Sequence, residues 1–454
     1  GSATIISMTS QDDFGFTPGA RLPNGLGRTG TITTPHGTIR TPAFVVVGTK
    51  AAVKAMLPEQ VAAAGGQAVL ANAFHLYLQP GPGIVDAAGG LGRFMGWPGP
   101  TLTDSGGFQV MSLGSGFRKT LAMDTTGLQD DDVIAVGHER RARVDDDGVD
   151  FKSPLDGSPH RFTPEVSMDV QHRLGADIMF AFDELTTLFN TRGYQVEALE
   201  RTRRWARRCL DEHARLTGAR RHRPYQALFG IIQGAQYEDL RRRACRELSA
   251  MRSSDGGLPF DGYGIGGAIE KARLGEIVGW CADELPDDRP RHLLGISEPD
   301  DLFAACAAGA DTFDCVNPSR VARNAAIYTA DGRYNVTTAA NRRAFVPLED
   351  GCDCYTCTHC TRAYLHHLFK AHEINGKVLA TVHNERFTVR LVDRIRRSMA
   401  DGDFEDFRAE WLGRYNANGG RAASPGRPVG RGESVRDHRR QCRHRRPCHG
   451  RIET

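Results

Sequence analysis

Eight short apolar runs, amphipathic stretches between most of them, and four cysteines crowded behind the last run predict an α/β protein. The expected architecture is a (β/α)8 TIM barrel with a C-terminal zinc-binding subdomain. The runs span 43–48, 68–72, 101–104, 178–183, 227–233, 261–265, 292–295 and 312–316. Helix-patterned segments lie at 54–64, 194–216, 237–251, 273–284 and 299–308. Alternation of this kind builds βαβ units and a parallel sheet, and eight runs suit a closed barrel better than an open sheet. No Gly-x-Gly-x-x-Gly opens a helix after the first run, which weighs against a dinucleotide-binding sheet.

The ends of the runs carry more information than their interiors. They finish at Asn72, Asp104, Asp183, Gln233, the pair Gly266-Gly267, Gly295 and Asp314. In a barrel these ends converge on one face, where active sites are built. A single Asp after a strand is ordinarily a helix cap or turn residue, but a succession of polar and glycine endings points to a site. The stretch 115–150 interrupts the rhythm with Asp130-Asp131-Asp132, Asp145-Asp146-Asp147 and Arg140-Arg141-Ala142-Arg143. It reads as a surface insertion between the third and fourth units, its charges solvated.

With 454 residues, 40% of them hydrophobic and 25% charged, the chain is globular rather than disordered or fibrous. No stretch of about 18 apolar residues occurs and no signal-peptide order opens the chain, so no membrane contact and a cytoplasmic location are expected. The net charge of +3 hides a split: residues 416–454 hold ten arginines against three acids, which leaves the rest net negative. Residues 415–454 read as a disordered basic tail, either adding non-specific nucleic-acid affinity or simply solvated. Residues 1–22 read as a disordered N-terminus or cloning remnant, 23–414 as the barrel, and about 345–390 as the zinc-binding subdomain. Of eleven cysteines, four fall within 352–360, a clustering that argues for metal rather than disulfides.

Three motifs carry chemistry. Thr103-Asp104-Ser105-Gly106-Gly107-Phe108-Gln109 joins a carboxylate to two glycines, which admit a flat ligand, and to an aromatic stacking face. Asp183 accepts two hydrogen bonds from a planar N–H pair, as on a guanine Watson–Crick edge; Gln233 both donates and accepts, and amides at Gly266-Gly267 would complete a base-reading pocket. Phe313-Asp314-Cys315-Val316-Asn317-Pro318-Ser319-Arg320-Val321-Ala322-Arg323 places a carboxylate at the last strand end before two arginines. A carboxylate can attack an anomeric carbon, and arginines hold phosphates or bases, although both also pair with surface acids. Finally, Cys352-Asp353-Cys354-Tyr355-Thr356-Cys357 precedes His383 by 26 residues, a closed tetrahedral set of the structural zinc type. By spacing alone Cys360 serves equally well as the fourth ligand.

Taken together and in this order, the motifs resemble the bacterial type of tRNA-guanine transglycosylase over residues 29 to 407. The resemblance implies a (β/α)8 barrel with a zinc-binding subdomain that exchanges guanine at the tRNA wobble position for a 7-deazaguanine. It makes Asp314 the nucleophile and Asp104 the general acid/base. It makes Asp183, Gln233 and Gly267 base-reading residues within the pocket of Ser105, Gly106 and Gly107, with Phe108 stacking on the ring. Asn72 and Gln109 become contacts beside Asp104. The loops Gly295-Ile296-Ser297-Glu298-Pro299-Asp300-Asp301 and Ser319-Arg320-Val321-Ala322-Arg323 become tRNA contacts. It selects His383 over Cys360 beside Cys352, Cys354 and Cys357 as ligands of one structural Zn2+, and it implies a homodimer. The partners it implies are the tRNA anticodon loop and the free guanine and 7-deazaguanine bases. Departures stand at Leu185, where many members have Cys, at Asn317, where Leu is usual, and in a shortened Gly266-Gly267-Ala268-Ile269-Glu270-Lys271.

Two other classes compete. A glycoside hydrolase also pairs carboxylates on a barrel, but such clefts are usually lined with Trp, and this chain has four. A non-catalytic RNA-binding subunit would lack the nucleophile, whereas Asp104 and Asp314 are both present.

Overall fold

The computed structural model describes residues 13–23, 25–112, 142–417 and 420. Eight parallel strands close on themselves: β1 (Ala43–Val47), β2 (Val69–Ala71), β3 (Thr101–Thr103), β4 (Ile178–Phe180), β5 (Ala227–Ile232), β6 (Gly262–Ile265), β7 (Arg291–Leu293) and β8 (Thr312–Asp314). They coincide with the eight apolar runs. β8 returns to β1 through Phe313 beside Phe44, and β4 joins β3 through Ile178 beside Leu102. Every residue of β1 and β5 is buried, as strands covered on both faces require.

Helices cover the outside. Arg192–Ala219 turns Leu199, Thr202, Ala206, Cys209, His213 and Leu216 inward at three- and four-residue spacing, and Thr191 caps it by accepting from the Tyr194 N–H. Proline opens Pro58–Ala63, Pro164–Leu174 and Pro299–Ala307, where its missing N–H costs nothing.

The N-terminal end of the barrel is closed by an antiparallel sheet of Gly15–Arg21, Arg28–Thr34 and Gly37–Thr41. Phe16, Ile32 and Ile39 share one core with Val45, Leu70, Leu102, Ile178 and Phe229 of the strands. This revises the expectation for 1–22: Gly15–Arg21 is a strand, because its Phe16 seals the barrel. Arg28 fastens the sheet, donating to both oxygens of Asp311 at 3.0 and 2.7 Å and to the carbonyls of Asp287 and Arg289. Both members are fully buried, so removing one would cost about 3–5 kcal/mol. The C-terminal strand ends lie at the opposite end of the barrel.

The insertion after β3 ends in a sheet of Ala142–Val144, Val149–Lys152 and Pro159–Phe162, whose Phe151 and Phe162 join the main core. Its acids are exposed yet paired, which the solvated reading did not anticipate: Asp145 with Arg161, Asp146 with Arg201 and Arg204, Asp147 with Arg208. Such exposed pairs each contribute little. The rest of the insertion, including Asp130-Asp131-Asp132, lies outside the described residues, as do 1–12 and the part of the tail from 421 onward. Tyr415 and Asn416, expected in the tail, instead end the helix Phe404–Asn416, with Tyr415 buried against Trp411.

Behind β8 a hairpin of Ala326–Thr329 and Gly332–Asn335 leads to helices Tyr355–His359, Arg362–Lys370 and Ile374–Asp401. Ile327, Val336, Leu348, Leu365 and Ala380 form a small core around the cysteines, so this unit begins before 345, at the hairpin. The later turns of Ile374–Asp401 pack Val392, Ile395 and Met399 on the barrel. Among the described residues no helix is long and apolar enough to cross a membrane.

Candidate active site and metal centre

Asp104, directly after β3, is held from two sides. Asn72 donates its Nδ2–H to Oδ2, and the Ala73 N–H donates to Oδ1 at 2.8 Å. Asn72 also caps the helix Ala73–Leu78 through the His75 N–H at 2.9 Å, so one side chain serves the helix and the carboxylate together. Burial pushes Asp104 up to about 7, and the charge of Asp314 adds to the rise, placing the two carboxyls in each other's field.

Asp314 ends β8. Its Oδ1 contacts His292 Nε2 at 3.1 Å and accepts the Gly295 N–H at 3.1 Å, while His292 Nδ1 meets Thr312 Oγ1 at 2.8 Å. His292 is fully buried on β7 and was not singled out from the sequence. Its signal was a histidine inside an apolar run, which reads equally well as a satisfied core residue.

Asp183 and Gln233 meet across the mouth. Gln233 Nε2 donates to Asp183 Oδ2 at 2.6 Å, and Ser105 Oγ lies 3.5 Å from Oδ1. Burial lifts Asp183 to about 6. The Oε1 of Gln233 is buried without a hydrogen-bond partner, an acceptor open to a donor. Gly267 borders it so closely, at φ +80°, that a Cβ there would lie 2.0 Å from Oε1. A Cβ on Gly107 would meet the Asp183 carbonyl at 3.1 Å, so this glycine of the first motif admits the β4 loop as well as a ligand. Phe108 stands 49% exposed beside them, and Gln109 bonds Asp104. Asn72, Asp104, Asp183, Gln233, Gly267, Gly295 and Asp314 thus sit at the C-terminal strand ends.

The two loops expected to touch RNA differ along their length. Ile296, Ser297, Pro299, Asp301, Ser319 and Ala322 are buried, and Glu298 is taken by Arg333 and Asn317. Asp300 and Arg320 are exposed, and Val321 and Arg323 half-buried. Neither arginine pairs with an acid among the described residues; Arg323 bonds the Ser319 carbonyl at 3.1 Å. Of the departures, Asn317 bridges Glu298 and Tyr328, and the shortened 266–271 segment passes straight into the turn Lys271–Arg273.

Cys352, Cys354, Cys357 and His383 form a buried cluster, their ligand atoms within 4.8 Å of one another. The sulfurs lie 3.7, 3.6 and 3.3 Å from His383 Nδ1. A tetrahedral zinc with ordinary Zn–S and Zn–N bonds sets that separation at about 3.6 Å. The opposite ring nitrogen contacts the Tyr328 carbonyl at 2.7 Å, which fixes the ring and leaves Nδ1 for a metal. Hydrogen bonding among the cysteines lowers the Cys354 thiol and raises that of Cys357, so one proton is shared out within the cluster; a metal needs all three as thiolates. The donors fit zinc, and Cys360 stands outside the cluster. Four protein ligands leave no open position, so a metal held by these residues would be structural.

Fold and site define a class: a (β/α)8 barrel with two facing carboxyls at its mouth and a closed Cys3His centre behind its last strand. Residues 24–417 match the family described as queuine tRNA-ribosyltransferase. The chain is 45% identical to the queuine tRNA-ribosyltransferase of Roseiflexus sp. (strain RS-1), over 87% of this chain and 98% of that one. It is 44% identical to that of Pelotomaculum thermopropionicum, over 92% and 100%, and 44% identical to that of Moorella thermoacetica, over 86% and 95%. The chain belongs to the queuine tRNA-ribosyltransferase family.

Proposed function

We propose that this chain exchanges guanine at the wobble position of a tRNA anticodon for a free 7-deazaguanine base, through an ester between Asp314 and the ribose. The observation that carries the reading is the pair of carboxyls at the ends of β3 and β8, with a base-sized polar edge, Asp183 and Gln233, beside them.

The Asp314 carboxylate attacks C1′ as the bond from C1′ to the base breaks, and the departing guanine takes a proton from neutral Asp104. The incoming base then gives its ring N–H proton to the Asp104 carboxylate, attacks C1′, and releases Asp314. A group near pH 7 suits both proton transfers. His292 and the Gly295 N–H engage only Oδ1 of Asp314, which orients the nucleophile. Asp183, Gln233 and Gly267 read the base edge, Phe108 stacks on its ring, and Asn72 and Gln109 orient Asp104. Exposed Arg320, with Arg323 beside it, meets the RNA phosphates along the loops 295–301 and 319–323. Cys352, Cys354, Cys357 and His383 would hold zinc, which would tie the subdomain together with no part in the chemistry. A cytoplasmic homodimer completes the reading; exposed Phe345, Tyr364 and Ile374 on the zinc-binding side are apolar surface for a second copy.

Labelled-guanine exchange into purified tRNA tests the activity, with 7-deazaguanines as competitors. A denaturing gel should trap an enzyme–RNA adduct for the parent and none for Asp314→Asn, which should keep its fold and tRNA affinity. Parental exchange rates in Asp314→Asn would sink the nucleophile assignment.

A further inference from the structure

Arg241 is a buried cation with no part in the chemistry above. It lies on the helix Glu238–Ala250 that follows β5, is fully buried, and forms no ion pair with an acid among the described residues. Its guanidinium donates instead to three backbone carbonyls: Nε to Ala235 at 3.0 Å, and Nη1 to Ile232 and to Gly266, each at 2.8 Å. The Ile232 carbonyl also accepts the Gly266 N–H at 3.1 Å.

The positions of these carbonyls matter. The Ile232 carbonyl belongs to the rigid peptide unit that enters Gln233, and the Gly266 carbonyl to the one that enters Gly267. One guanidinium therefore ties together the two strand ends whose next residues border the base edge. The tolerance there is small, since a Cβ at Gly267 would lie only 2.0 Å from Gln233 Oε1. Burying a cation without a counterion is costly unless hydrogen bonds replace its hydration. The acceptors are Ile232, which ends β5, and Ala235 and Gly266 on the loops after β5 and β6, while Nη2 is buried without a partner. A lysine has one nitrogen where Arg241 uses two, Nη1 for both strand-end carbonyls and Nε for Ala235, and it lacks the guanidinium's fixed plane.

We propose that Arg241 is a positioning residue for base recognition, setting the distance and angle between Gln233 and Gly267 and so the fit of guanine and its 7-deaza analogues. This rests on the base-reading role given above to Gln233 and Gly267.

The test is labelled-guanine exchange by the full chain, with KM for guanine, KM for tRNA, kcat and thermal midpoint measured for Arg241→Lys, Arg241→Gln, Gln233→Ala and the Arg241→Lys/Gln233→Ala double variant. Arg241→Lys, which keeps the buried charge, covers the case in which Arg241→Gln does not fold. KM for guanine should rise about tenfold in Arg241→Lys, as expected for loss of a charge-assisted hydrogen bond. KM for tRNA, dominated by phosphates, and kcat should stay within about twofold. The double variant should be no worse for guanine than Gln233→Ala alone, because the two act through one contact. A fall in kcat with unchanged KM for guanine would mark a merely structural role and overturn the proposal. So would an unchanged KM in Arg241→Lys beside a raised one in Gln233→Ala. If Gln233→Ala itself leaves KM for guanine unaltered, the base-reading assignment fails first and this proposal with it.

Discussion

Asp104 and Asp183 are both raised chiefly by burial, yet the consequences differ. In the proposed exchange Asp104, near 7, would pass a proton in both half-reactions. The exchange rate should therefore show an ionisation close to pH 7 that disappears in Asp104→Asn, with a loss of about 100-fold or more. A pH–rate profile of the two proteins checks this. Asp183 bears on stability. Its folded carboxyl keeps its proton to about pH 6, above the ordinary 3.8, so the fold incurs no penalty below pH 4 and a growing one as pH rises to 6. Asp183→Asn should accordingly raise the melting temperature at pH 8 and leave it unchanged at pH 4. Equal gains at both values would show that the cause is not the buried charge. Asp104, Asp183, Gln233 and Asp314 were legible as polar ends of apolar runs; His292 and Arg241 were not, because their roles depend on partners 20 or more residues away.

At the scale of the element, Ile374–Asp401 links the metal centre to the active-site face. His383 faces the cysteines, the adjacent Asn384 bonds the carbonyls of Pro318 and Ala326, and Glu385, buried beside them, accepts the Ser319 N–H. Ser319 lies on the short helix Asn317–Ala322 that follows Asp314. Structural zinc contributes about 10 kcal/mol or more to small domains of this kind. Cys354→Ala should lose the metal and loosen residues 326–370, read by elemental analysis and limited proteolysis, while Cys360→Ala keeps one zinc per chain. Zinc lost from Cys360→Ala and kept in His383→Ala would overturn the ligand set. The cysteine spacing was plain in the sequence, but the choice between Cys360 and His383 was not. That choice depends on how the helix Ile374–Asp401 returns to the cluster.

For the whole molecule, charge is divided between a net negative body and the tail, with its ten arginines against three acids over 416–454. If the tail meets tRNA, each phosphate it neutralises adds about 0.7–0.9 to the slope of log affinity against log salt. Removing 421–454 should flatten that slope and weaken binding at low salt, with turnover at saturating tRNA unchanged. Identical slopes for the full and shortened chains would retire the tail as an RNA-binding element. The same scale holds the plug at the barrel's closed end: Arg28 and Asp311 are 283 residues apart in sequence and fully buried together.

What the sequence determined by itself was local in origin. Apolar runs with amphipathic stretches between them specify strands and helices, polar strand ends specify a face, and Cys-x-Cys-x-x-Cys specifies a metal. Each follows from residues close together in the chain. Tertiary structure alone decided which distant groups share a desolvated space: the mutual field of Asp104 and Asp314, the Gln233–Asp183 contact, the fourth metal ligand, and the strand Gly15–Arg21 sealing the barrel. Burial and electrostatic coupling depend on distance in space, and only the closed barrel brings these residues within reach of one another.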